Sequence, residues 1–209
     1  MTYYNLALFA LALGGLYCWR ELQASKLREG ALLERLDKLS KEKRTLPAVP
    51  GHLNPHFLFN ALNTIRYFVR TNPASARGLL LDLSLVLQSA LRKDGQVSLR
   101  DELESGRGYL RLEGARLGPR LEIVDTISES DLDQLIETHI LSHLLESLVK
   151  GVAERPNGGV IHLDFRNRRL ILEADGHASL PSEVVKTLGP NLQIAREETT
   201  RFEWSLEQT

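Results

Sequence analysis

An imidazole and a carboxamide four residues apart, His56 and Asn60, fall in the run His52-Leu53-Asn54-Pro55-His56-Phe57-Leu58-Phe59-Asn60-Ala61-Leu62-Asn63-Thr64-Ile65. Neutral imidazole is nucleophilic at cell pH and can attack a γ-phosphoryl group. The Asn60 amide, one helical turn on and on the same face, can orient a water or a phosphoryl oxygen. Spacing alone does not separate this reading from a structural histidine in a capped helix start. A second group of polar residues lies far downstream, with Glu146, Ser147 and Lys150 in one stretch and Asp175-Gly176 in another. The pairs His52/His56 and His139/His143 have the i,i+4 spacing of metal ligands. The second pair alternates with Ile140, Leu144 and Leu148 and lacks the glutamate of a zinc-protease motif, so no metal site is assigned.

Local sequence signals show what must position these groups. Asn54 is a good N-cap and Pro55 a good first helical residue, which puts His56 in the first turn. Phe57, Leu58, Ala61, Leu62 and Ile65 supply a broad apolar stripe, and Asn72-Pro73 ends the helix. Leu79, Leu80, Leu83, Val86, Leu87, Ala90 and Leu91 then repeat with helical period over 74–92. Two such helices joined by a short loop form an αα-hairpin, assigned to residues 48–95, whose apolar face is expected to pair with a second copy as a four-helix bundle. Farther on, 120–127 reads as a strand, 136–153 as an amphipathic helix, and 159–165 with 169–174 as a β-hairpin turning at Arg166-Asn167-Arg168-Arg169. Strands at 191–196 and 201–206 complete a mixed sheet backed by helices, so 96–209 is expected to be an α+β sandwich.

Upstream the composition changes. Tyr3–Trp19 holds no charged side chain. As a helix it would span about 26 Å against a hydrocarbon core of about 30 Å, with Tyr3, Tyr4, Tyr17 and Trp19 at the two interfaces. It lacks the basic n-region of a signal peptide, and Tyr17 before Cys18 does not fit a lipoprotein signal. Residues 1–19 are therefore expected to be a transmembrane anchor. The eight Lys/Arg against five Asp/Glu in 20–45 put the bulk of the chain in the cytoplasm of a single-pass bacterial inner-membrane protein. Leu22, Leu32, Leu36 and Leu39 give a heptad seam, interrupted by Ser25 and Glu29, and residues 20–47 are expected to be a coiled-coil linker ending at Pro47.

The whole chain has 209 residues and a net charge of −1, with one cysteine, Cys18. The charge balance argues against nucleic acid as a partner, and one cysteine excludes an intramolecular disulfide framework and a cysteine-rich zinc site.

The run LNPHFLFNALNTI resembles the phosphoacceptor motif of LytS-type sensor histidine kinases. The resemblance continues through Val97-Ser98-Leu99-Arg100-Asp101-Glu102-Leu103, Tyr109-Leu110-Arg111-Leu112-Glu113 and Arg116-Leu117-Gly118-Pro119-Arg120-Leu121, a helix and strand leading into the ATP-binding domain in that family. It implies that His56 is the phosphoacceptor and Asn60 a neighbouring motif residue. It further implies a Bergerat-type ATPase fold over 96–209, ATP and Mg²⁺ as cofactors, and a response regulator as partner.

The nucleotide motifs depart from the family pattern. Where the family has Leu-Val-Glu-Asn-Ala-x-Lys-His-Gly, this chain has Leu144-Leu145-Glu146-Ser147-Leu148-Val149-Lys150-Gly151-Val152. Glu146 and Lys150 remain, but the magnesium-holding asparagine is Ser147 and the histidine is Gly151. Where the family has Asp-Asn-Gly-x-Gly, Ala174-Asp175-Gly176-His177-Ala178 stands, with Ala174 at the adenine-binding aspartate. A one-residue shift to Asp175 points a strand side chain to the other face. Between Gly176 and the last strands, 177–190 contains no Gly-x-Gly lid, so the lid is expected to be shortened. The sequence thus predicts a sensor histidine kinase homologue with a degenerate ATP site formed by Ser147, Lys150, Asp175 and Gly176, a pseudokinase that is a homodimer or pairs with an intact kinase. The other reading is a non-enzymatic membrane adaptor that docks a response regulator or a partner kinase.

Overall fold

The computed structural model describes residues 54–93, 95–128 and 132–206. The expected anchor at 1–19, the coiled-coil linker at 20–47 and His52 lie outside these residues. Among the described residues, no helix is long and apolar enough to cross a membrane.

Helix α1 (Pro55–Thr71) begins where the sequence signals place it. The Asn54 side chain accepts from the backbone N–H of His56, and Pro55 occupies the first turn, where its missing N–H costs nothing. The Asn72 N–H bonds Phe68 O at the end of α1, and its side chain accepts from Ser75 N to open α2 (Pro73–Ala90). Phe57, Ala61 and Ile65 pack on Leu79, Leu83 and Val86.

Strand β1 (Gln96–Ser98) leads directly into α3 (Leu99–Leu117), where Ser98 caps by accepting from Asp101 N. This helix is the main addition to the sequence reading of the hairpin, since its Leu112 enters the hairpin's own core. Part of the apolar stripe assigned to a second copy is therefore covered within the chain, while Tyr67, Leu80 and Leu81 stay exposed. A guanidinium fork secures the contact: Arg111 Nη2 donates to Asp82 Oδ1 at 2.6 Å and its Nε to both carboxylate oxygens at 3.0 and 3.1 Å. Asp82 is buried, and such charge-assisted forks are among the stronger side-chain hydrogen bonds.

The second half is a mixed α/β layer. A five-stranded sheet runs in the order β2 (Leu121–Asp125), β4 (Gly159–Arg166), β5 (Arg169–Asp175), β7 (Thr199–Ser205), β6 (Leu192–Arg196). Only β2 and β4 are parallel; the remaining pairs are antiparallel. Alternation assigns the faces: Ile161, Leu163, Leu170, Leu172, Ala174, Phe202 and Trp204 point into the core, packed with α3 and with α4 (Ile140–Glu154). The opposite face is polar, with Arg169 bonded to Glu203 at 2.9 Å and Arg201 within 3.7 Å of Glu173. The Arg169 hydrogen bond holds the half-buried Glu203 carboxyl below the usual carboxylate range. Asn167 and Arg168 both have positive φ, the backbone of a two-residue hairpin turn that matches strand twist.

The helix expected at 136–153 starts instead at Ile140. Its first residues form β3 (Leu135–Glu137), paired antiparallel with β1, and His139 at φ 69° breaks the chain before the helix. A three-residue strand carries too little alternation to be separated from a helix start by periodicity. Within 177–190, the chain forms a further short helix, α5 (Ser182–Leu188), burying Val184 and Leu188. At the turn before β4, Gly158 has φ 70°, and any Cβ there would collide with the carbonyl oxygen of Arg120.

Candidate functional site

The first turn of α1 sets His56 in solvent, with the core-facing Phe57 beside it. Asn60 follows one turn later, and its Nδ2 lies 3.3 Å from Nδ1 and 3.4 Å from Nε2 of His56. Whichever ring nitrogen lacks a proton can accept from that amide. Thr64 Oγ1 donates to the Asn60 carbonyl at 2.9 Å, bracing the next turn. Behind the histidine, the rings of Phe57 and Tyr109 tilt at 45° with centroids 5.0 Å apart. Burial of Tyr109, reinforced by the carboxylates of Glu113 and Glu146, pushes its phenol well above the usual tyrosine range. It is therefore neutral at physiological pH.

Helix α4 presents two functional faces. One carries Glu146 toward the hairpin, where its Oε1 accepts from Asn54 Nδ2 at 3.3 Å. Asn54 thus links the backbone of His56 to Glu146, and Asn60 joins them through the His56 ring. In the sequence Asn54 is legible only as a helix cap. Its second partner lies 92 residues away and leaves no local signal.

The other face carries Ser147 and, one turn later, Gly151. Ser147 is buried, and its hydroxyl donates to the Ser179 carbonyl at 2.7 Å. A Cβ on Gly151 would stand 2.7 Å from the backbone oxygen of His177. The segment following β5 therefore lies directly on the helix. It is fixed from below as well: Ala178 N–H donates to Thr200 Oγ1 at 2.9 Å, and Thr200 Oγ1 donates to Gly176 O at 2.8 Å. Thr200, fully buried, is a polar residue whose part in this loop no motif in the sequence announced.

Of the remaining expected site residues, Lys150 is exposed on α4. Asp175 Oδ2 accepts from Val160 N at 2.9 Å, occupying the carboxylate with the neighbouring strand. Gly176, at φ 97°, donates its N–H to Glu198 O. Ala174, one residue earlier, is buried on the helix-facing side of the sheet. Asp175 and Ser147 thus bond to different parts of the chain.

Similarity to known proteins covers the hairpin and the helix that follows it. The family model described as Histidine kinase matches residues 45–121. The sensor histidine kinase YpdA of Escherichia coli is 30% identical over 188 residues, covering 80% of this chain and 33% of that protein. The sensor histidine kinase/phosphatase LytS of Staphylococcus aureus is 34% identical over 119 residues, covering 56% of this chain and 20% of that protein. Among solved structures, the catalytic domain of histidine kinase ThkA aligns at 15% identity and a TM-score of 0.33, covering 55% of this chain and 97% of that one, a score too low for comparing sites. The chain belongs to the LytS-type sensor histidine kinase family of two-component systems. It spans a third or less of the length of these two curated relatives.

Proposed function

We propose that this chain is a membrane-anchored phosphoacceptor subunit of a two-component system whose ATP-binding half is retained as a scaffold. In this reading His56 takes a phosphoryl group from ATP held by a partner kinase: a ring nitrogen bonds to the γ-phosphorus, the bond to the bridging oxygen breaks, and ADP leaves. An aspartate carboxylate of a response regulator then attacks the same phosphorus, and the P–N bond breaks to return neutral imidazole. Asn60 holds the ring through its amide, and exposure of the first turn leaves His56 reachable by both partners.

The observation that carries the proposal is the packing of the segment after β5 on α4. If the nucleotide lies between α4 and the end of β5, as the resemblance implies, Ser147 would have to offer its hydroxyl to Mg²⁺. That side chain is buried under the segment after β5, with its proton donated to Ser179, and Gly151 admits the His177 carbonyl where a larger residue would hold the backbone away. Asp175 is likewise engaged by Val160 N–H. These residues do not fit an ATP–Mg²⁺ complex, so no catalytic step is assigned to this chain's own nucleotide site. Exposed Tyr67, Leu80 and Leu81 on the hairpin support pairing with a second hairpin, from the same chain or from an intact kinase.

Calorimetric titration of the purified chain with ATP–Mg²⁺ tests this reading. No binding at millimolar nucleotide, together with phosphate on His56 only when an intact kinase is present, is the expected result. Micromolar binding followed by autophosphorylation would overturn it. Signalling that survives His56→Ala would favour the adaptor instead.

A further inference from the structure

We infer that Asn54 is a positioning residue, a clasp that holds the phosphoacceptor turn of α1 against α4 through Glu146. One carboxamide is used at both ends. Its Oδ1 accepts from His56 N–H at 2.9 Å and its Nδ2 donates to Glu146 Oε1 at 3.3 Å. Rotating the amide by half a turn would set its NH₂ against an N–H and its oxygen against a carboxylate, so the two bonds select one orientation. The residue that fixes where His56 begins its helix is therefore also the residue that ties that turn to the other half of the molecule.

The surroundings show why a clasp matters at this joint. Between the hairpin and the start of α4 lies a cavity of about 40 Å³, lined by Asn54, Phe57, Val86, Tyr109, His139 and Glu146. A pocket of this size, open on one side, has room for water next to the Asn54–Glu146 bond. The Asn54–Glu146 bond is the polar link at this point, beside the packed rings of Phe57 and Tyr109. Opening it costs roughly one net hydrogen bond and leaves the N-cap intact. In the clasped form the His56 turn faces α4; in the open form the same capped turn is free to seat on a partner. The functional consequence rests on the proposal that His56 is the phosphoacceptor, whereas the clasp itself does not.

Asn54→Asp separates the two roles. Aspartate caps a helix as well as asparagine does, but it offers no donor and sets a second carboxylate against Glu146. Amide exchange on the full chain should show α1 as protected as before and residues 139–146 exchanging about fivefold faster, the size of one net hydrogen bond. Combining Asn54→Asp with Glu146→Gln restores a donor–acceptor pair with the direction reversed, and exchange should return to the original rate. Labelling of His56 by phosphoramidate, in which the ring nitrogen attacks phosphorus and ammonia leaves, should rise and fall in the same order. An unchanged single variant, or a double variant that fails to recover, overturns the clasp. If Asn54→Asp lowers protection within α1 itself, Asn54→Gly keeps most of the cap and carries no side-chain donor, and its exchange at 139–146 decides in the same way. If His56 takes no phosphate in any variant, the phosphoacceptor reading falls, and the exchange data alone decide the clasp.

Discussion

On one side of α4, Glu146 meets the Asn54 carboxamide beside a small void. On the other, Ser147 and Gly151 meet the backbone of Ser179 and His177 with no room between. The first side faces the motif that carries the family resemblance. The second faces the motifs that depart from it. Two of the departures on α4, at positions 147 and 151, are toward smaller side chains, and they lie one turn apart under the same segment. Small size there is a packing property: it lets the backbone after β5 rest on the helix, with Thr200 completing its hydrogen bonds from the sheet. Here Ser147 is buried and bonded to Ser179, and Asp175 is bonded to the neighbouring strand.

The largest effect should come from the hairpin core. Ile65 is 0% exposed, and Ile65→Ala should cost about 2–5 kcal/mol. If the clasp is the main link between the hairpin and the sheet half, denaturant unfolding of this variant should split into two steps, the hairpin melting first. A single transition shifted as a whole would show that α3, which contributes Leu112, couples the halves more tightly than the clasp does.

On the other side of α4, Gly151→Ala places a methyl 2.7 Å from the His177 oxygen, a backbone atom that moves only with its loop. Overpacking of this kind costs about 1–3 kcal/mol. Exchange of the Ala178 amide, held by Thr200, should accelerate while the first turn of α1 keeps its protection. Equal loosening at both places would erase the distinction between the two faces.

A smaller, pH-dependent effect is expected where α2, α3 and the approach to α4 meet. The Glu102 carboxyl is fully buried, accepting from Ser89 Oγ at 3.4 Å and from the His139 backbone, with Arg92 and Asp101 as the nearby charges. Burial raises its pKa above the ordinary glutamate value, an effect that those hydrogen bonds and Arg92 only partly offset. The folded state thus binds the proton more tightly than the unfolded one. This contribution to stability is fully present below the unfolded pKa and is lost as pH rises through the folded value. Glu102→Gln should remove that slope and leave the protein more stable at neutral pH, as followed by thermal melts from pH 4 upward.

The smallest change in stability belongs to the residue with the largest proposed role. His56 is exposed, and His56→Ala should shift stability by no more than about 0.5 kcal/mol. Phosphate incorporation from a partner kinase should be abolished. A large loss of stability would mean that its link to Asn60 supports the fold rather than the chemistry.

Much of this architecture is legible in the chain. The caps at Asn54 and Asn72, the helical repeat from Leu79 to Leu91 and the hairpin turn at Asn167-Arg168 are local: each depends on hydrogen bonds or side-chain periods within a few residues. The departures at Ser147, Gly151 and Ala174 were visible by comparison with the family pattern, though not what filled the space they leave. Strands β1 and β3 were missed because three residues carry almost no periodic signal, and their pairing joins segments nearly forty residues apart.

The sequence by itself determined which turn presents His56 and how that turn is capped, because capping is a contest between a side chain and the nearest backbone amides. Only the tertiary structure decided that the capping amide has a second partner in Glu146. It alone decided that Leu112 of α3 closes the hairpin core, and that Ser147 is spent on Ser179. Each of these contacts joins residues more than twenty positions apart, where chain spacing sets no direction and only the packing of α3 and α4 brings the atoms together.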